Sequence, residues 1–132
     1  MKKTVSWLTF CFLVLALSFV PNAGAETLII FKDVPEMTGR QAYTVPSGKK
    51  LYLLSIIIGN PNGTPVDSGA EVKYLIPGST LKNLLVVGIP ADSFFGHNFT
   101  NLIFDQGSRL DVWNGHGTGS VKFTLTGNLV NR

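Results

Sequence analysis

The sequence predicts an all-β protein, an antiparallel β-sandwich of about eight strands with jelly-roll-like connections. Three observations carry this. Short apolar runs recur at a spacing of roughly 8–12 residues, the pattern of sandwiches and barrels. Proline and glycine punctuate the gaps between them. No stretch of useful length shows the apolar period of a helix, so parallel βαβ units are not expected.

The chain is organised around residues 43–60, YTVPSGKKLYLLSIIIGN. Pro46 presets φ for position i+1 of a type I turn, and Gly48 can adopt the left-handed conformation that follows. The three-residue loop Pro46-Ser47-Gly48 suits a hairpin with a G1 bulge. Residues 41–45 are therefore expected to pair back onto residues 49–58. The second arm is apolar on both faces, with Leu51, Leu53 and Ile57 on one and Tyr52, Leu54, Ile56 and Ile58 on the other. Only Ser55 interrupts it. A strand with one wet face alternates, so this pattern predicts cover on both sides, by the rest of the fold or by another subunit.

The remaining elements follow in order. Residues 27–32 read as a strand, with Leu28 and Ile30 opposite Thr27, Ile29 and Phe31. Residues 33–40 and 59–69 carry proline and glycine and read as loops. Residues 71–76 form a strand ended by Pro77-Gly78, a type II turn pair. Residues 81–89 form another, and Leu84 to Val87 predict burial on both faces. Residues 90–96 read as irregular. Residues 99–104 and 108–113 read as strands joined by Asp105-Gln106-Gly107, a loop of the same form as the first. Residues 114–120, NGHGTGS, read as a glycine-rich turn. Residues 121–130 alternate cleanly, with Val121, Phe123, Leu125 and Leu129 inward and Lys122, Thr124, Thr126 and Asn128 outward. The expected core draws on Leu53, Ile57, Val72, Leu84, Val86, Leu110, Val112, Phe123 and Leu125.

Residues 1–25 have the three parts of a secretory signal peptide. Lys2 and Lys3 form a positive start, residues 5–20 are almost wholly apolar, and Ala23-Gly24-Ala25 is a small-residue cleavage site. The uncharged run is short for a membrane anchor and no stop-transfer charges follow it. The mature protein is expected to begin at Glu26, as a single domain of residues 26–132 with no membrane span, secreted or periplasmic. Cys11, the only cysteine, lies inside the leader. Phe10 before it and the lack of a preceding apolar core exclude a lipoprotein reading. The mature chain thus offers neither disulfide nor thiol chemistry.

Removing residues 1–25 from 132 leaves 107, enough for one domain. Lysine plus arginine falls from 11 to 9 against 8 acids, and the formal charge falls from +3 to +1. No basic stripe remains, which argues against nucleic acid as a partner.

The segments YTVPSGKKLYLLSI, GSRLDVWN and GSVKFTLTGNLV together resemble small secreted bacterial and phage β-sandwich domains. In those, a Val-Pro-small-Gly-Lys turn leads into the main buried strand, a Gly-x-x-Leu-x-Val strand follows, and a Thr-x-Thr/Ser-Gly-x-Leu-Val strand closes the domain. The resemblance spans about residues 43–130. It implies a jelly roll of the tumour-necrosis-factor-like kind, often trimeric and often used for surface attachment. It carries over no site residue and no cofactor.

Candidate chemistry is sparse. His97 and His116 are the only histidines, and Asp92, Asp105 or Asp111 could complete a metal site with them. Both sit beside glycine in expected turns, where a solvated polar residue is the simpler reading. Asn60, Asn62 and Asp67 crowd one loop that could suit calcium, but their spacing fits no EF-hand, and turn residues are the expected role. There is no Gly-x-Ser-x-Gly elbow. Asp105 and Asp111 could be paired carboxylates, yet Arg109 shares a face with Asp111 and makes an ion pair the simpler account. No metal, cofactor or catalytic residue is expected. Asn62-Gly63-Thr64 and Asn98-Phe99-Thr100 match glycosylation sequons; the short lysine start is of bacterial type, so both are read as chance.

One constellation suits ligand binding. Trp113 falls on the polar face of its strand, flanked by Asp111, Asn114 and His116. An exposed indole with side-chain donors and acceptors around it is what a sugar-binding platform uses. Packing of Trp113 at the sandwich end or in a subunit contact is the plainer alternative. Three functions follow. The first is a secreted non-enzymatic binding or adhesion module for carbohydrate or another cell-surface ligand. The second is a structural protein whose product is the oligomer itself, and the third a small secreted enzyme. The excess of apolar strand surface predicts a homo-oligomer, with a trimer as the expected number.

Overall fold

The computed structural model describes residues 24–115 and 119–132. Its eight strands are β1 (Ala25–Val34), β2 (Thr38–Thr44), β3 (Lys49–Asn60), β4 (Val66–Leu75), β5 (Lys82–Ile89), β6 (Ser93–Asp105), β7 (Arg109–Asn114) and β8 (Val121–Asn131). They form two four-stranded sheets: sheet A, ordered β1-β8-β3-β6, and sheet B, ordered β2-β7-β4-β5. All pairings are antiparallel. Successive strands change sheet throughout, except from β4 to β5. This is the jelly-roll sandwich that the strand spacing predicts. The one hairpin turns at Pro77-Gly78, where Gly78 has φ 80 and Ser79 N–H donates to Ile76 O at 3.0 Å, as a type II turn requires.

The other two expected hairpins do not form. Residues 41–45 do not pair with residues 49–58; β2 pairs with β7, while β3 lies between β8 and β6. The Pro46-Ser47-Gly48 turn is present, with Gly48 at φ 74 and Lys49 N–H donating to Pro46 O. It carries the chain across the sandwich instead of back along one sheet. Asp105-Gln106-Gly107 does the same between β6 and β7. The two turns clasp each other: Val45 N–H donates to Ser108 O at 2.9 Å and Gly107 N–H to Val45 O at 2.8 Å.

Several loops are shorter than expected. Residues 35–37 and 90–92 suffice to cross between the sheets, with Met37 at φ 50 and Asp92 at φ 49 making the tight reversals. Thr38 Oγ1 closes the first by donating to Pro35 O. The segment read as irregular, residues 90–96, mostly belongs to β6, and residues 66–69 of the expected loop belong to β4.

Bulges explain the two runs that are apolar on both faces. In β3 the register with β8 shifts between Leu53 and Ser55, so the inward set changes from Leu51 and Leu53 to Ile56 and Ile58. Leu54 and Ile57 point outward and are exposed. In β5 the register with β4 shifts beside Leu84, between the Val72–Leu85 and Lys73–Asn83 pairs. Neither strand is sealed on two sides. Of the expected core, Leu53, Val72, Leu110, Val112, Phe123 and Leu125 are buried. Leu84 is half-buried against the core, whereas Ile57 and Val86 are exposed, because each lies on the outward phase of its bulged strand. Val34, Ile56, Ile58 and Val121 take their place.

Candidate functional site

β7 alternates as its sequence predicts. Leu110 and Val112 enter the core, and Arg109, Asp111 and Trp113 face outward on sheet B. The same alternation turns Asn114 inward. It is fully buried, and its Nδ2 donates to Val34 O at 3.1 Å and to Gly119 O at 3.0 Å. Asn114 thus ties β7 to the end of β1. His116 lies outside the described residues. Of the four expected ligand residues, the structure brings Asp111 and Trp113 together and sends Asn114 to the opposite side of the strand.

The outward face around Trp113 is a shallow groove of about 430 Å³ lined by Gly39, Gln41, Lys73, Arg109, Asp111 and Trp113 among others. Trp113 lies across β2 at its register partner Gly39, where a Cβ would come within 2.6 Å of Trp113 Cε3. Only glycine permits that contact. Lys73 Nζ stands 5.7 Å from the ring centroid, within cation–π range. The indole is therefore packed between a backbone and a lysine and is not an open platform. Lys73 also pairs with Glu71 at 2.7 Å, and Arg109 Nη2 pairs with Asp111 Oδ2 at 2.7 Å, as the sequence predicts. The other carboxylate oxygen, Asp111 Oδ1, is buried and accepts no hydrogen bond among the described residues. The groove presents an indole edge and three cationic side chains, Arg40, Lys73 and Arg109, the last two already paired with carboxylates.

The other candidate chemistry disperses. His97 lies within β6, not in a turn, exposed and edge-on to Phe99 at 4.6 Å. Among the described residues no three His, Cys, Asp or Glu side chains converge as a metal site would need. Asn60 is buried, and its Nδ2 donates to Thr64 O, Ile89 O and Pro90 O. Its Oδ1 accepts from Asn62 N and Nδ2. That amide braces the corner between the sheets. The side chain of Asp67 lies outside the described residues.

The outer face of sheet A is of another character. Register defines its cross-strand rows. One end row holds Ala25, Val130, Lys50 and Asp105. Then come Thr27, Asn128, Tyr52 and Ile103; next Ile29, Thr126, Ser55 and Asn98; then Phe31, Thr124, Ile57 and Gly96. Asp33, Lys122, Gly59 and Phe94 form the last. The three middle rows carry no charged residue. Phe31 is 72% exposed, Phe94 77%, Ile29 55% and Ile57 44%, and Leu54 and Ile103 are also exposed there. Inside this face Ser55 Oγ and Thr126 Oγ1 bond to each other at 2.5 Å. The β1 residues Ile29 and Phe31 were not singled out from the sequence. The signal was present, since residues 27–31 are apolar on the face opposite Leu28 and Ile30.

No protein-family model matches the chain, and no curated protein matches it. Three solved structures are similar to it at low identity. A chain of the disulfide-linked pili that form Bacillus endospore appendages aligns with TM-score 0.52 and 10% identity, covering 82% of this chain and 88% of that one. The Drosophila NLP core, described for pentamer formation and histone binding, aligns at TM-score 0.46 and 19% identity, over 77% of this chain and 99% of that one. PirA aligns at TM-score 0.44 and 13% identity, over 83% and 97%. The first of these likenesses, at 10% identity, shows the fold alone, and nothing is drawn from the other two.

Proposed function

We propose that the protein is a secreted, non-enzymatic structural subunit, with residues 26–132 as its mature chain, that acts as an assembly of its own copies. The observation that carries this is the uncharged, apolar outer face of sheet A. The outer side of sheet B differs: it exposes Leu81 and Val86 but also carries the Glu71–Lys73 and Arg109–Asp111 ion pairs. Sheet A has three consecutive rows without charge and four strongly exposed apolar side chains. Depletion of charge with enrichment of aromatics marks the centre of protein interfaces. The pilus subunit that shares the fold is described as disulfide-linked. Residues 26–132 contain no cysteine, so an assembly of this chain rests on noncovalent contact. Light scattering on residues 26–132 across the micromolar range tests the reading. A mass above that of one chain is expected, and a monomer throughout overturns it.

A secreted binding module for carbohydrate or another cell-surface ligand is the second reading. The groove on sheet B favours it, because the Trp113 indole, the Asp111 carboxylate and the Arg40, Lys73 and Arg109 cations line one depression of about 430 Å³. A glycan-array screen repeated with Asp111→Ala tests it. A hit lost in the variant supports the module; no hit with the wild type counts against it.

A further inference from the structure

We propose that the outer face of sheet A packs against the same face of a second copy about a two-fold axis parallel to the strands, so that Phe31 seats over the partner's Gly96. This rests on the self-assembly reading and adds its geometry.

Six of the exposed large apolar side chains, Ile29, Phe31, Leu54, Ile57, Phe94 and Ile103, gather on this face; Met37, Ile76, Leu81 and Val86 lie elsewhere. A ring of three joins two different patches head to tail, whereas a two-fold contact uses one patch twice. The largest apolar patch, used twice, gives a pair in place of the trimer that the resemblance implies.

The orientation follows from one row. Phe31, Thr124, Ile57 and Gly96 lie side by side across the sheet. Phe31 stands on the edge strand β1 and is 72% exposed. Gly96 lies on the opposite edge strand, β6, and nothing comes within 4 Å of where its Cβ would be. The row thus ends in a projection on one side and a gap on the other. A two-fold axis along the strands lays each row on its own copy and exchanges the edges. Phe31 then meets the partner's Gly96, and Ile57 meets the partner's Thr124. An axis across the strands would instead place Phe31 over the row of Thr27, where no gap exists.

The charges agree with this arrangement. They occupy only the two end rows, and each end holds one acid and one base: Lys50 with Asp105 at 3.8 Å, and Asp33 in register with Lys122. Exchanging the edges places Asp105 over the partner's Ala25 and Lys122 over the partner's Gly59, so no charge is laid on its like. The area also suffices. Four strands ~4.8 Å apart and about ten residues long at ~3.3 Å each present roughly 600 Å² per copy, or about 1,200 Å² in total, the lower end of stable interfaces.

Cysteine cross-linking reads the geometry directly, because residues 26–132 hold no native cysteine. The double variant Phe31→Cys/Gly96→Cys should oxidise to a covalent dimer. Either single variant should stay uncrosslinked, since identical edge positions are held about 14 Å apart laterally by three strand spacings, beyond the roughly 7 Å that a disulfide spans. Phe31→Cys removes the projecting ring, so a second variant keeps it: Gly96→Trp fills the gap and should turn the wild-type dimer into folded monomers at the same concentration. A dimer formed by Phe31→Cys alone, or a Gly96→Trp protein of unchanged mass, overturns this geometry and leaves self-assembly standing. A wild-type monomer removes both.

Discussion

The backbone N–H of Gly48 donates a 2.7 Å hydrogen bond to Oε1 of Gln106. Two turns of the same form, one after β2 and one after β6, are thereby tied side by side at one end of the sandwich. Each moves the chain from one sheet to the other, and each needs a glycine in the left-handed region, Gly48 at φ 74 and Gly107 at φ 79. Gln106→Ala leaves the Gly48 N–H to water and should cost about 0.5–1.5 kcal/mol in chemical denaturation. An unchanged denaturation midpoint would show that this tie contributes nothing.

Gly127 is held by space, not by backbone angle. A Cβ there would lie 2.7 Å from Tyr52 O and 2.8 Å from Leu51 Cδ1, beside the bulge of β3. Gly127→Ala should destabilise by about 1–3 kcal/mol. Gly63→Ala, where a Cβ meets nothing, is the matched control and should stay within about 0.5 kcal/mol. Equal effects at the two positions would contradict the close approach.

The bulge at Leu54 separates two neighbours that look alike in sequence. Ile56 is fully buried and Ile57 is 44% exposed. Ile56→Ala should cost about 2–5 kcal/mol. Ile57→Ala, measured on protein diluted to monomers, should cost less than about 1 kcal/mol. A reversed order would place the register shift elsewhere.

Burial, and then the charge of Glu26, raise the pKa of the Tyr43 phenol above its ordinary value. The folded protein therefore keeps the proton after the unfolded chain has released it. The associated stability is complete below the ordinary tyrosine value and is lost as pH rises through the folded pKa. Ultraviolet titration should lose a late-ionising component in Tyr43→Phe, and the same variant should flatten the alkaline decline in stability. An unchanged decline in Tyr43→Phe would contradict this.

The local patterns were legible, and the long-range ones were not. Alternation in residues 121–130 identified the inward side of β8, and Arg109 beside Asp111 foretold their ion pair. Turn chemistry at Pro46-Ser47-Gly48 revealed a reversal, but a reversal of this kind serves a hairpin and a crossing between sheets equally well. Whether β2 stays beside β3 depends on β7 and β8, which lie far along the chain. The bulge at Leu54 was hidden for a related reason: it shows only as a shift against the neighbouring strands β8 and β6, and within β3 it looks like an unbroken apolar run. Asn114 was misplaced because residues 113 and 114 fall on opposite faces of one strand. Its buried amide is held by Val34 O and Gly119 O, neither of which is near it in the strand pattern.

Self-assembly through the outer face of sheet A is tested most directly by the solution mass of Leu54→Lys/Ile57→Lys beside that of the wild-type residues 26–132. Both side chains point outward from β3 and are exposed, so the double variant should fold, with the same far-ultraviolet dichroism as wild type. Two lysines in the uncharged rows would have to be desolvated on pairing, a penalty of several kcal/mol per ion. Sedimentation should find an oligomer for wild type and a folded monomer for the variant. Ile56→Lys, placed in the core between them, should fail to fold. A monomeric wild type, or a double variant that keeps the wild-type mass, would contradict the assembly.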